Sequence, residues 1–306
     1  MIRSIVGFIF FANYFVGGLA VALSLETAFQ LGLPLNPFWY YLLVFVATVL
    51  YYTHAYWVPA GNQVTDNPRT EWYRTHHSFV RYSRAVLWVA FLVLAGIFLC
   101  YDFGKIGSLP IRYWLALGLV PLAALLYYGL LPSAIGRYNL RNTGWMKAFV
   151  IGFVWAGCVN LFPVAMVKLH DGIEIREPAF LIWLFIKNWM FCTVNAIMFD
   201  IKDYEDDSNI QLKTFVVQMG LKNTIFYVLI PLLLVGLASF LTFAAYRQIG
   251  PVTVLFNMVP FICLLAVAFA LQRPRNILYY LVVIDGLLLI KAICGIAGSF
   301  FAHILQ

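Results

Sequence analysis

Five carboxylates occupy the eight positions from Asp200 to Asp207, directly after an apolar run that covers residues 180–199. The whole chain has only 13 acidic residues. Charged side chains at the end of an apolar segment are costly to keep there, and they commonly mark a functional site. If this segment is helical, the 3.6-residue period places Asp200, Asp203 and Asp207 within an arc of about 60°.

Three like charges on one helix face repel each other unless a cation lies among them. Hard divalent ions, Mg²⁺ above all, favour such oxygen ligands and usually bring phosphate with them. We therefore predict that Asp200, Asp203 and Asp207 are metal-binding and catalytic residues. The alternative is a solvated polar cap on a helix end.

The elements that must position these carboxylates are apolar. The mean hydropathy is +0.86, and 63% of the residues are hydrophobic while only 11% are charged. These values exclude an ordinary soluble domain, and stretches of about 20 apolar residues can cross a bilayer as helices. Nine such stretches lie near residues 5–25, 37–58, 84–101, 112–131, 147–167, 179–199, 223–245, 250–271 and 276–300.

The sequence thus predicts an all-α polytopic membrane protein with a single domain over residues 1–306. We expect about nine transmembrane helices around a central cavity that opens near the cytoplasmic face. The first apolar stretch lacks a small-residue cleavage site, so it is predicted to be a retained helix rather than a signal peptide.

The distribution of basic residues orients the predicted bundle. Of the 20 Lys and Arg residues, thirteen fall on the side of Arg3, five fall on the opposite side, and Lys187 and Lys291 lie within spans. By the positive-inside rule the acidic cluster is cytoplasmic, and we expect a bacterial inner membrane. Basic loops beside anionic lipid headgroups account for the net charge of +7, so no nucleic-acid partner is predicted.

The acidic segment continues into Lys213-Thr214-Phe-Val-Val and then Gly220. A D-x-x-D-x-E-x-D run after a membrane helix, followed by K-T-x-x-V and a glycine, resembles the second aspartate-rich motif of the UbiA superfamily of intramembrane prenyltransferases. In that family a glycine commonly precedes the last aspartate, whereas this chain has Asp206. The stretch from Tyr138 to Lys147 is similar to the family's aromatic and basic connection, which helps to hold diphosphate.

This chain differs from the family at the first aspartate-rich motif. The first aspartate-rich motif of the family, N-D-x-x-D or close to it, ends the second helix and binds Mg²⁺ opposite the second motif. Here that helix ends in the stretch from Tyr51 to Trp57, which has no carboxylate. His54 in that stretch and Asp66 in Asn62-Gln-Val-Thr-Asp66 are the two residues that could take the place of the missing ligands.

The resemblance implies Mg²⁺-assisted transfer of a prenyl group from a prenyl diphosphate to a hydrophobic acceptor, either aromatic or otherwise lipid-soluble. Divalent metal and nearby cations would stabilise the charge that builds on the departing diphosphate. The candidate substrate-binding residues are Lys202, Arg141, Lys147, Lys213, Asn195, Tyr204, His54 and Asp66.

Four charged residues lie apart from the acidic cluster, in or beside apolar stretches. Asp285 and Lys291 share the last stretch and are predicted to form ion pairs with a neighbouring helix or with each other through water. Lys187 could line the cavity of Asp200. Glu26 lies near the opposite surface and is predicted to extend into water.

Two other functions are compatible with parts of this pattern. A lipid- or isoprenoid-binding or transport protein of the same fold would explain the missing first motif and the unusual Asp285 and Lys291. A CDP-alcohol phosphotransferase also uses spaced aspartates in a membrane. The D-G-x-x-A-R element expected of that class is missing after Asp203.

Overall fold

The computed structural model describes residues 2–55, 68–128, 144–204, 213–273 and 275–304. Within these ranges the chain consists of helices and short connections, with no β-strand. The prediction of an all-α protein is confirmed for this part of the chain. The α-helices are α1 Ile2–Phe11, α2 Tyr14–Gln30, α3 Phe38–Ala55, α4 Pro68–Thr75, α5 His77–Ile106, α6 Ile111–Tyr128, α7 Gly144–Ala156, α8 Phe162–Asp171, α9 Pro178–Lys202, α10 Phe215–Met219, α11 Leu221–Thr224, α12 Ile230–Tyr246, α13 Pro251–Ala270, α14 Ile277–Tyr279 and α15 Asp285–Ile304.

Three π-helical segments join consecutive α-helices into longer rods. Gly157–Leu161 joins α7 to α8, Ile225–Leu229 joins α11 to α12, and Tyr280–Ile284 joins α14 to α15. A π-turn holds one residue more than an α-turn and occurs frequently at functional positions.

Six of the described helical rods are long and apolar enough to cross a membrane. They are His77–Ile106, Gly144–Asp171, Pro178–Lys202, Leu221–Tyr246, Pro251–Ala270 and Ile277–Ala302. Two shorter apolar helices, Phe38–His54 and Ile111–Tyr127, accompany them. The membrane character is therefore supported, whereas the predicted count of nine spans and the predicted central cavity are not confirmed.

The first predicted span is divided into α1 and α2. The break falls at Asn13, whose backbone is left-handed with a φ of 66°. Its buried side chain donates hydrogen bonds to the hydroxyls of Thr53 (3.4 Å) and Tyr73 (3.1 Å) and accepts one from Arg69. These tertiary contacts hold a conformation that asparagine tolerates better than most residues.

Helix α9 lies at the centre of the bundle. It packs against α7 along its length and also contacts α12 and α15. Its residues Phe191, Val194, Ile197 and Met198 are almost fully buried. A helix that is apolar on most of its circumference is buried by its neighbours, and α9 therefore fixes the position of the carboxylates at its C-terminal end.

The approach of α7 to α9 depends on Gly152. A Cβ atom at this position would lie 2.3 Å from Oγ1 and 2.8 Å from the backbone nitrogen of Thr193 in α9. Both distances are shorter than a van der Waals contact, so any side chain here would push the two helices apart.

We expect Gly152→Ala to lower the free energy of unfolding by about 1–3 kcal/mol, the usual cost of overpacking a core. Gly118→Ala is the matched control, because a Cβ at Gly118 in α6 meets nothing within 4 Å. Denaturation of both variants in mixed micelles would measure the difference. Equal stability of the two variants would contradict the tight packing of α7 on α9.

The bundle interior holds a buried ion pair. Lys291 donates to both carboxylate oxygens of Glu26, at 2.6 and 2.8 Å, and both side chains are almost inaccessible to solvent. Gln30 also donates to Glu26, at 2.7 Å. The prediction that Glu26 extends into water is wrong, because Gly295 of α15 leaves room for its carboxylate between the helices.

Candidate functional site

The carboxylates of the acidic cluster lie at the C-terminal end of α9. Asp200 is in the last turn and only 3% exposed, whereas Asp203 is the C-cap residue and its side chain is about one third exposed. The α-helix ends at Lys202, one residue before Asp203, so the predicted helical arc does not extend through the whole cluster. Asp207 lies outside the described residues.

Each described aspartate of the cluster has a lysine beside it. The Nζ atom of Lys147 is 2.8 Å from Oδ1 of Asp200, and the Nζ atom of Lys202 is 2.8 Å from Oδ1 of Asp203. The C-terminal end of a helix carries a partial negative charge, which is unfavourable for carboxylates. The two lysines offset this repulsion, and the arrangement indicates a place that attracts cations.

Lys147 reaches Asp200 because α7 begins close to the segment that follows the acidic cluster. At Gly144, the first residue of α7, a Cβ atom would lie 2.1 Å from the carbonyl carbon of Lys213 and 2.4 Å from the nitrogen of Thr214. Further along, the indole nitrogen of Trp189 in α9 donates to the carbonyl of Phe149, at 2.8 Å. Glycine packing and this hydrogen bond together fix α7 beside the end of α9.

The Lys213-Thr214 signature of the sequence has a clear structural role. The Thr214 hydroxyl is buried and accepts a hydrogen bond from the backbone N–H of Val217, so it caps the short helix α10. Lys213 is exposed beside it, with its backbone against Gly144. The signature therefore returns the chain to α7, while the Lys213 side chain remains accessible for a substrate.

The other predicted site residues differ in their surroundings. Asn195 is buried one turn and a half before Asp200, and its side-chain amide donates to the carbonyl of Ile284 at 2.8 Å. Tyr204 is 44% exposed just after the helix end. His54 is exposed in the last turn of α3, while Arg141 and Asp66 lie outside the described residues.

One acidic residue near this end of the bundle was not predicted to belong to the site. Asp285, the first residue of α15, is 8% exposed and lies within electrostatic range of Lys202 and Arg69. Its signal in the sequence was a carboxylate inside an apolar run, which we interpreted as a structural ion pair. Lys291, the partner considered for it, is bound to Glu26 instead.

A comparison with protein families identifies the family of this chain. The model of the UbiA prenyltransferase family matches residues 65–278, more than two thirds of the chain. The protein therefore belongs to the UbiA prenyltransferase family. Searches of curated proteins and of solved structures gave no significant match.

The family match does not include the stretch from Tyr51 to Trp57, where the sequence departs from the family's first motif. The match begins at residue 65, after the end of α3, where the first aspartate-rich motif was expected. It includes α7, α9 and the acidic cluster, but excludes Glu26 and Lys291.

Asp200 and Asp203 are described carboxylates at the end of α9 that could contribute oxygen ligands to a divalent metal of the kind that family enzymes generally use. Asp200 and Asp203 supply carboxylate oxygens one helical turn apart, and Mg²⁺ is commonly bound by one or two carboxylates together with substrate phosphates. Among the residues that the structure describes, no group of three or more His, Cys, Asp or Glu side chains could hold a metal. The remaining carboxylates of the acidic cluster, Glu205, Asp206 and Asp207, lie outside the described residues.

Proposed function

We propose that the protein transfers a prenyl group from a prenyl diphosphate to a hydrophobic acceptor, with Mg²⁺ held by Asp200, Asp203 and Asp207. The observation that carries this proposal is that two aspartates at the end of α9, Asp200 and Asp203, each form a salt bridge with a lysine. They lie inside the part of the chain that matches the family model. We further propose that residues 1–306 form one domain, with this end of the bundle in the cytoplasm of a bacterial cell.

In the proposed reaction the bond between C1 of the prenyl group and the diphosphate oxygen breaks, and its electron pair leaves with the diphosphate. The acceptor forms the new bond to C1 and loses a proton. When bound, Mg²⁺ would neutralise charge on the diphosphate. The protein must then bind the diphosphate, orient C1 towards the acceptor and exclude water from the allylic cation.

Lys147 and Lys202 are suited to two successive roles. Without substrate they pair with Asp200 and Asp203 and offset the carboxylate charge at the negative end of a helix. If the carboxylates held a metal, the two ammonium groups would be available to bind phosphate oxygens. Lys213 and Arg141 are the other candidates for diphosphate contact, with Asn195, Tyr204, His54 and Asp66 as candidates elsewhere in the substrate site.

Release of pyrophosphate by the purified protein tests the proposed function. We expect release from at least one member of a series of prenyl diphosphates of increasing chain length, in the presence of Mg²⁺ and a mixture of lipid-soluble aromatic acceptors. EDTA should abolish the release, and restored Mg²⁺ should recover it. Donor hydrolysis without protein is the background to subtract.

The contrary result is also informative. Binding of prenyl diphosphates without pyrophosphate release, for every chain length and acceptor, would overturn the transferase proposal. It would favour the second function that the sequence allowed, a non-catalytic isoprenoid-binding or transport protein. The missing carboxylate at the end of α3 would then be the reason for the lost activity.

A further inference from the structure

A cavity of about 710 Å³ lies at the end of the bundle remote from Asp200. Helix connections surround its mouth, namely residues 31–34, 173–177 and 247–250. It reaches inward to Lys187 of α9, thirteen residues before Asp200, which corresponds to about 20 Å along the helix. We call it the remote cavity. Its size is typical of a site for a small organic molecule.

The floor of the remote cavity carries a buried ammonium group. Lys187 is only 6% exposed, and its Nζ atom donates a hydrogen bond of 2.6 Å to Oδ1 of Asn257 in α13. Asn257 in turn donates to the carbonyl of Thr253, at 2.9 Å. Lys187 therefore contacts a neutral amide, whereas buried ammonium groups are normally matched by an anion.

Among the described residues, the acidic side chain near Lys187 is already paired with another lysine. Glu26 lies within electrostatic range of Lys187, but both of its oxygens already accept from Lys291, which repels Lys187. The cluster thus contains two lysines and one carboxylate. Lys187 is the member that faces the cavity, so a protonated Lys187 is the group of this cluster that an entering anion would meet.

Aromatic rings form one wall above this floor. Trp183 and Phe243 are stacked with ring centroids 4.1 Å apart and an angle of 3° between their planes. Phe180 extends the stack towards the mouth, with its centroid 5.6 Å from Phe243. The Nζ atom of Lys187 also lies over Trp183 and Phe240, 5.5 and 5.4 Å from their centroids. This wall suits an apolar body.

The acidic residues at the mouth are already matched by cations. Glu177 binds Arg247, and Glu174 binds Lys168 and Arg112 at 3.1 and 2.8 Å. Hydrogen bonds from Lys168 and then Arg112 lower the pKa of Glu174 below its usual value. The exposed Arg176 adds a further positive charge at the mouth. An anion that enters meets no unmatched carboxylate among these residues.

We propose that the remote cavity is a binding site for an organic monoanion with an apolar body, whose anionic group contacts Lys187 while the body lies against the wall of Trp183 and Phe243. The carboxylate or phosphate group could belong to a flat aromatic acid or to a single-chain lipid. The site does not depend on the proposed transferase activity, because its residues and those of the aspartate cluster lie at opposite ends of α9.

Direct binding to the full chain in phosphatidylcholine nanodiscs tests this proposal. The probes are radiolabelled 2-naphthoate and dodecanoate, compared with the uncharged 2-naphthol and dodecanol, and empty nanodiscs give the partition background. We expect saturable binding of at least one anion, at least about tenfold tighter than its uncharged analogue, as for a hydrogen-bonded charge. The better anion identifies the body as flat or chain-like.

Single substitutions test whether the anion binds in the remote cavity. Lys187→Met should weaken anion binding at least about tenfold, and Ala302→Trp should block it by filling the cavity without a change of charge. Lys222→Met, which removes an exposed lysine, and Asp203→Asn should bind like the unaltered protein. Thermal unfolding of each variant shows that it is folded.

Two results would overturn the proposal. Equal affinity for anion and uncharged analogue would mean that Lys187 does not recognise charge. Unchanged binding by both Lys187→Met and Ala302→Trp would place any anion site elsewhere.

Loss of pyrophosphate release in Asp203→Asn with intact naphthoate binding would distinguish this site from the transferase site.

Discussion

Asp203→Asn is expected to reduce Mg²⁺-dependent pyrophosphate release at least about a hundredfold, the effect of removing one charge-stabilising group from a catalytic site. Asparagine keeps the shape of the side chain but removes the charge that would bind the metal. Because Asp203 caps α9 and is about one third exposed, its replacement should leave the fold intact. Initial rates at several Mg²⁺ concentrations would measure the loss and any increased Mg²⁺ requirement.

Asp171→Asn provides the matched control for this experiment. Asp171 is the exposed last residue of α8, at the opposite end of the bundle from Asp203, so the same chemical change should leave the rate unaltered. An Asp203→Asn protein that retains the rate and Mg²⁺ requirement of the unaltered protein would contradict the role proposed for Asp203.

Lys291→Met is expected to produce the largest loss of stability among single substitutions in the bundle interior. Among the described residues, it leaves the buried Glu26 carboxylate with Gln30 as its remaining hydrogen-bond donor. Breaking a buried ion pair by removing one partner typically costs about 3–5 kcal/mol. Unfolding in mixed micelles of increasing dodecyl sulfate content would measure the loss of free energy.

A double variant separates lost charge pairing from lost packing. Replacing both partners, as Glu26→Met with Lys291→Met, should restore much of the stability, because apolar pairs of similar volume often replace buried ion pairs at little cost. Lys222→Met is the exposed-lysine control. A double variant no more stable than Lys291→Met alone would show that packing, and not an uncompensated charge, governs this position.

The sequence predicted the parts of this protein that depend on local pattern. Apolar stretches separated by basic loops indicated a helical membrane protein, and the run from Asp200 to Lys213 indicated the UbiA family. The family match and the long apolar helices bear out both predictions. The position of Asp200 at the end of a buried helix also followed from the apolar run before it.

Contacts between distant parts of the chain could not be predicted in this way. Lys147 was expected to bind substrate, but its approach to Asp200 depends on the glycine packing of α7 on α9. Glu26 and Lys291 are separated by 265 positions, so neither residue gives a local signal of the other. The helical arc predicted for Asp200, Asp203 and Asp207 also assumed that the helix continues, whereas α9 ends at Lys202.

The π-turn at Tyr280–Ile284 begins and ends with contacts to α9. The ring of Tyr280 lies against Phe199, with centroids 6.3 Å apart. Asn195 donates to the carbonyl of Ile284, and Lys291, less than two turns further on, binds Glu26. If this turn became ordinary α-helix with the same number of residues, the rest of α15 would rotate by about 100°. This is the rotation per residue in an α-helix. Lys291 would then face away from Glu26. The wide turn therefore sets the rotational register of α15, and with it the side of the helix on which Lys291 lies.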